Sequence, residues 1–206
     1  PHHRQYLPVG GNFKRHTMIP KHWTINLENS IGTISNHKTI KTIFASVLEL
    51  TILNDWKGAC HESCGAMHIL LNETGVQNIW CIGEAKVGNA FFDHSWIEID
   101  QNIYDISICR PLQSAFYNGA VIKGIDIDTN TPTTAEYGVV SGHPDDQMTI
   151  AVKSSNLSDY LEMSPVDPQL GTWRLVEQVS KYKLKKTLDI PTLLKKYKGI
   201  HFTTRP

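Results

Sequence analysis

Charge of one sign is what this chain lacks. Lysine plus arginine number 20, and aspartate plus glutamate also number 20. Without a basic excess there is no electrostatic argument for nucleic acid or for an anionic membrane as partner. Long apolar runs are missing too, so no membrane span is expected. The opening stretch PHHRQYLPVGGNFKRH has no apolar core of the kind a signal peptide carries. Cysteine is scarce: Cys60, Cys64, Cys81 and Cys109. Four thiols could close two disulfides, but a chain of 206 residues with 40% hydrophobic content can bury a core without such staples. The thiols are therefore read as reduced, and a cytoplasmic setting is the expectation. Internal repeats and low-complexity tracts are also missing, and nothing in the sequence signals an oligomeric state.

What is present reads as one α+β domain over residues 1–206. Residues 1–36 are expected to be irregular, because Pro8, Gly10, Gly11, Pro20, Asn29, Gly32 and Asn36 interrupt every short run. HWTINL is the one candidate edge strand there. Ile40, Ile43, Phe44, Val47, Leu48 and Ile52 lie at helical spacing and predict a helix over 38–53, with Asn36 as its cap. A second helix is expected from Cys60, with Met67, Leu70 and Leu71 on its buried face and Gly75 as the residue just past its end. Three strands should follow, at 76–87, 90–100 and 102–110, with a tight turn at Gln101-Asn102. Residues 38–110 form the expected core. Residues 111–206 are expected to add further strands and C-terminal helices, including one near Tyr137–Val140, a helix over GTWRLVEQVSKYKLKK and another starting near Pro191.

The chemistry is expected in the stretch from Trp56 to Gly75. Cys60 opens a helix, where backbone N–H groups have no internal partner and the helix dipole favours an anion. That makes Cys60 a candidate nucleophile; its bland reading is a small buried hydrophobe. Cys64, one turn later on the same helix face, is the competing thiol. His94 is the candidate base, on a strand where His94, Trp96 and Glu98 share one face. Asp105, on the next strand, is the candidate that orients it. A turn at 101–102 sets position 98 opposite 105, so His94 lies four residues along the ladder from Asp105's partner. On that register Glu98 is the simpler neighbour of Asp105, and Asp105 reaches His94 only through a different turn, a bulge or a longer reach.

GACHESCGAMHILL, then FFDHSWIEID, then IYDIS together resemble the transglutaminase-like superfamily of papain-like cysteine enzymes. That family places a cysteine at a helix start after a Gly-x-Cys element, a histidine in a His-Ala/Ser-Trp element on a strand, and an aspartate after an aromatic residue on the following strand. The resemblance covers Trp56 to Cys109 and implies a papain-like arrangement, a cysteine-bearing helix packed on an antiparallel sheet, with Cys60, His94 and Asp105 as catalytic residues. It implies a thiol enzyme that attacks an amide or isopeptide carbonyl of a peptide or protein, forms a thioester, and releases it to water or to an amine. Hydrolysis is favoured, since no feature marks an amine site. Oxyanion stabilisation falls to the first N–H groups of the Cys60 helix, and Trp56 is a candidate wall of the acyl pocket.

Two other readings stand beside this one. The same fold could be a non-catalytic peptide-binding module. Alternatively, Cys60, His61, Cys64 and His68, with His94, could form a structural zinc site, although such sites favour knuckles and loops over a helix of this composition. No organic cofactor is implied, and no calcium loop is recognisable. Asp93, the SGHPDD turn and the lysines between Lys181 and Lys198 are read as solvated polar surface.

Overall fold

The computed structural model describes residues 19–112, 116–145, 147–162 and 172–205. Three helices come first: α1 (Lys21–Ile31), α2 (His37–Leu53) and α3 (Cys60–Glu73). Strands β1 (Ile79–Val87), β2 (Ala90–Ile99) and β3 (Asn102–Asp105) follow, then a single 3-10 turn at Ser107–Cys109. Short strands β4 (Val121–Ile122), β5 (Ile125–Asp126) and β6 (Thr131–Pro132) lead to β7 (Glu136–Val139). Helices α4 (Gln147–Ser154), α5 (Leu157–Glu162), α6 (Thr172–Tyr182) and α7 (Ile190–Tyr197) precede a final strand, β8 (Thr203–Thr204). The result is an α+β fold built on one sheet in the order β6-β5-β4-β3-β2-β1-β7. Neighbours along that order are antiparallel, and β8 adds in parallel to β1. No described helix is long and apolar enough to cross a membrane.

The expected irregular N-terminal segment needs correction where it is described. HWTINL is not an edge strand but the body of α1, which buries Trp23, Leu27 and Ile31. Those residues recur every four positions, the spacing of one helix face; Asn26 and Asn29 lie within the helix, and only Gly32 stands at its end. Asn26 stays in the helix because its side chain has a partner, donating to the Ile127 carbonyl at 2.9 Å. The remainder of that segment, residues 1–18, lies outside the described residues. Asn36 sits at the α2 N-cap position with φ of 59°, but its side chain makes no capping bond.

α3 ends as its sequence implies. Gly75 takes φ of 80°, its N–H donates to the Asn72 carbonyl at 3.0 Å, and the Val76 N–H donates to the Leu71 carbonyl at 2.9 Å. That pair of bonds is a Schellman closure, and glycine fills its left-handed position without a Cβ penalty. The helix is buried along most of its length, from Ser63 to Leu71, with His68 half-buried. It contacts β2, β1, α2 and α6. Phe44, Val47, Met67, Leu70, Trp80, Ile82, Ile97, Ile99, Tyr104 and Val176 belong to this main core. Each such side chain, fully buried, contributes on the order of 1.5–3 kcal/mol against exposure, so the helix is held firmly. A smaller cluster of Val87, Ile108, Val121 and Ala135 packs with Phe92, Ile103, Phe116 and Tyr137.

The β2–β3 hairpin sets the geometry of the site. Asp100 and Gln101 both take positive φ, 49° and 63°, as a two-residue type I′ loop requires. The ladder pairs Ile99 with Asn102, Glu98 with Ile103 and Ile97 with Tyr104. The turn thus falls one residue earlier than expected at Gln101-Asn102. Asn102 is instead the first residue of β3, with its side-chain amide donating to the Asp100 carbonyl at 2.8 Å. Moving a two-residue turn by one position shifts the register by two. The faces stay the same, but continuing the ladder puts Trp96, not Glu98, opposite Asp105. His94 is then two residues from that partner, a diagonal neighbour brought closer by about 7 Å.

Candidate active site

Cys60 is the first residue of α3 and is half-buried. The chain enters that helix through Gly58, whose φ is 66° and whose N–H donates to the Arg110 carbonyl at 2.9 Å. A Cβ there would lie 3.2 Å from the Leu112 Cβ. Glycine therefore lets the segment before Cys60 lie close against the segment after Asp105. Ala59 caps α3 with no side-chain bond. The first-turn N–H groups of such a helix end have no partner within the helix.

His94 stands on β2, buried, with the Cys60 thiol near enough to act on its charge, and the two line the same cleft. Its Nε2 lies 2.6 Å from Asp105 Oδ2. An imidazole has two ring nitrogens; with Nε2 committed to the carboxylate, Nδ1 is the one left for the sulfur. Burial works against a charged ring here, but the Asp105 carboxylate and the nearby Cys60 outweigh it, and His94 is pushed up to about 10. Opposite charge next to a buried group favours its ionised form.

Asp105 has no exposed surface, and both its oxygens are occupied. Oδ1 accepts from the Ser107 N–H at 3.0 Å, the Ile108 N–H at 3.1 Å and the Ser107 hydroxyl at 3.2 Å. This turn over its own side chain ends β3 and starts the 3-10 turn. Oδ2 accepts from His94 and from the Tyr137 hydroxyl, at 2.9 Å. Tyr137 comes from β7, and its ring centroid lies 6.3 Å from that of His94 and 5.2 Å from that of Trp96. Sequence reasoning placed a strand at Tyr137 but gave this residue no role. Nothing local marks it, since the contact spans 32 positions.

The other candidate residues lie elsewhere. Cys64 is buried, and desolvation pushes its thiol well above the usual range, with Asp105 and Cys60 adding to the effect. Burial likewise pushes Cys81 and Cys109 up to about 12. Glu98 does not touch His94: it accepts from Trp96 Nε1 at 3.1 Å and from Arg205 Nη2 at 2.5 Å. Although partial burial opposes its charge, the Arg205 and Trp96 bonds keep its carboxyl below the usual range. Trp56 is buried in the main core. Asp93 accepts from the Thr149 hydroxyl of α4 at 2.6 Å. In the SGHPDD turn, Ser141 bonds Glu84 and Asp145 pairs with Lys153 at 2.8 Å; Asp146 lies outside the described residues. Of the lysine series, Lys183 pairs with Glu49 and Lys196 with Glu73, which ties the C-terminal helices to α2 and α3.

The helix histidines are engaged in other ways. His61 Nδ1 bonds the buried Ser95 hydroxyl, and burial together with the neighbouring His94 lowers it to about 4. His68 bonds Asn78 at 2.8 Å and Asn72 at 3.1 Å. Among the described residues no group of three or more His, Cys, Asp or Glu side chains is placed to hold a metal ion. The donors weighed for a zinc site therefore do not converge.

A cleft of about 360 Å³ opens onto Cys60 and His94. Its walls are largely apolar, with Phe91, Phe92, Ile108, Leu112 and Phe116 among the lining residues and Trp56 not among them. Phe92 stacks on Phe116 at 4.9 Å and meets the edge of His94 at 5.4 Å. A volume of this order suits a side chain or short peptide segment. Chemically, the arrangement offers a thiol, a base near it, a carboxylate that holds the base, and a helix mouth beside them. No curated protein and no solved structure matches the chain. Residues 22–112, which span α1 to the cleft wall beyond Asp105, match the family model described as the transglutaminase-like superfamily.

Proposed function

We propose that this protein is a cysteine-dependent amide or isopeptide hydrolase of papain-like arrangement, acting on a peptide or protein substrate through a thioester. The observation that carries the reading is the series from Cys60 to His94 to Asp105 at the wall of an open cleft. His94 already holds at Nδ1 the proton taken from Cys60, and the sulfur left beside it attacks the substrate carbonyl. The resulting oxyanion faces the first N–H groups of α3. His94 returns the proton to the leaving nitrogen as the C–N bond breaks, leaving a thioester and a free amine. Water, deprotonated by His94, then splits the thioester to an acid and the free thiol. Asp105 fixes the ring throughout and is not itself protonated. An amine arriving in place of water would give acyl transfer. A working thiol requires reducing conditions, so the proposed setting is the cytoplasm.

Thiol labelling tests this reading. Iodoacetamide at pH 7, followed by peptide mass mapping, should modify Cys60 well ahead of Cys64, Cys81 and Cys109. His94→Ala should slow that modification at least about 100-fold, the scale of a lost general base. Release of free amine from peptide amides, assayed with and without a tagged primary amine, separates hydrolysis from transfer. Cys60 labelling that is slow and insensitive to His94→Ala would overturn the enzyme reading in favour of a peptide-binding module.

A further inference from the structure

We infer that Tyr137 is a positioning residue for the thiol chemistry, acting through Asp105 on His94 from a part of the chain beyond the transglutaminase-like segment. The inference rests on the proposed role of His94 and adds a fourth side chain to it. The Tyr137 hydroxyl donates to Oδ2 of Asp105, the same oxygen that His94 Nε2 contacts. Its ring lies against both His94 and Trp96. Asp105 is thereby held from three sides: the backbone turn at 107–108, the imidazole and the phenol.

Two physical consequences follow. First, the phenol restricts rotation of the carboxylate about its terminal bond, which is otherwise broad, so Oδ2 stays aimed at the ring. Second, an O–H donated to Oδ2 withdraws part of the negative charge that the imidazolium senses. The carboxylate grips the His94 proton less tightly than it would unassisted, which suits a ring that must accept a proton from sulfur and then return one to a leaving nitrogen. Tyr137 keeps its own proton: burial and the adjacent carboxylate push the phenol well above its usual range. The titratable groups facing this pair are Asp105 from β3, Cys60, His61 and Cys64 from α3 and, further off, Asp126 from β5.

The test uses the full chain and two readouts. Tyr137→Phe keeps the ring and removes only the hydroxyl. At pH 7 it should slow Cys60 alkylation about three- to ten-fold, the scale of one hydrogen bond, because the carboxylate no longer holds the ring aligned on the sulfur. By NMR titration it should move the His94 ring pKa upward, because the carboxylate is left more basic. In an Asp105→Asn background the same change should add little, since the effect travels through the carboxylate. A merely structural role would instead give additive losses and an unmoved His94 titration. An unchanged His94 titration together with an unchanged alkylation rate in Tyr137→Phe overturns the inference. Thermal unfolding of each variant separates misfolding from a local effect, and if Tyr137→Phe unfolds early, Tyr137→Trp supplies a second ring with a donor. The His94 titration needs no catalysis. It therefore tests Tyr137 even if His94→Ala fails to slow alkylation and the enzyme reading falls.

Discussion

The two oxygens of Asp105 are held by different regions of the molecule. Oδ1 is bound by Ser107 and Ile108, two and three residues along the chain. Oδ2 is bound by His94 and Tyr137, 11 and 32 positions away. The near side is a local turn that an aspartate at a strand end makes with its own backbone. The far side exists only because the β2–β3 register and the docking of β7 bring two remote rings to one oxygen. Shape is secured locally here, while the chemistry is assembled from a distance.

Removing the carboxylate breaks both sides at once and should give the largest effect. Asp105→Ala would leave the Tyr137 hydroxyl, two backbone N–H groups and a charged imidazole buried without their acceptor. Loss of one partner from a buried ion pair costs about 3–5 kcal/mol. Urea unfolding at pH 7 should register a loss of that size. Ser107→Ala, which removes one contact on the near side only, should cost about 1 kcal/mol. If the two variants cost the same, the far side is not contributing, and the contrast between the two oxygens fails.

This contrast also explains how much could be read from the residues alone. α3 was legible because Met67, Leu70 and Leu71 recur at helical spacing and Gly75 marks the end, features that neighbouring residues specify together. The α+β class and the antiparallel strands were legible for the same reason. α1 is less legible, because its polar residues mask the period of Trp23, Leu27 and Ile31, which bury against the rest of the core. α4 was not anticipated: QMTIAVKS is short, and it is tied into the fold by the contact of Thr149 with Asp93. In the site, the residue types were visible but their distances depended on the turn. Asp100 and Gln101 adopt positive φ without glycine, so no local signal placed the turn there. Tyr137 needed the whole sheet.

The two histidines beside Cys60 sharpen the comparison through pH. His94 is raised from 6.5 to about 10, and His61 is lowered from 6.5 to about 4. For His94 the folded state holds the proton more tightly than the unfolded chain. Its stabilisation is complete below about pH 6.5 and is lost as pH rises toward 10. For His61 the unfolded chain takes the proton first, so stability is lost as pH falls from about 6.5 toward 4. Unfolding measured across this range should therefore fall off on both sides of neutrality. His94→Gln should flatten the alkaline slope and leave the acid one, and His61→Gln should do the reverse. An alkaline slope that survives His94→Gln would mean that the ring is not held charged by Asp105 in solution.

The smallest effect should come from the turn that aligns the two strands. Gln101 sits at φ of 63°, in the left-handed region that costs an ordinary residue about 1–2 kcal/mol. Gln101→Gly relieves that cost but loosens the unfolded chain by about 0.4–1 kcal/mol. The balance should be a gain of about 0.5 kcal/mol in urea unfolding. The Cys60 alkylation rate should not change, because glycine suits the same type I′ loop and keeps Ile99 opposite Asn102. A drop in that rate would carry more information than the stability. It would mean that the loop had re-formed elsewhere and slid Asp105 along the ladder, so that a residue with no side chain in the cleft controls the alignment on which the far oxygen depends.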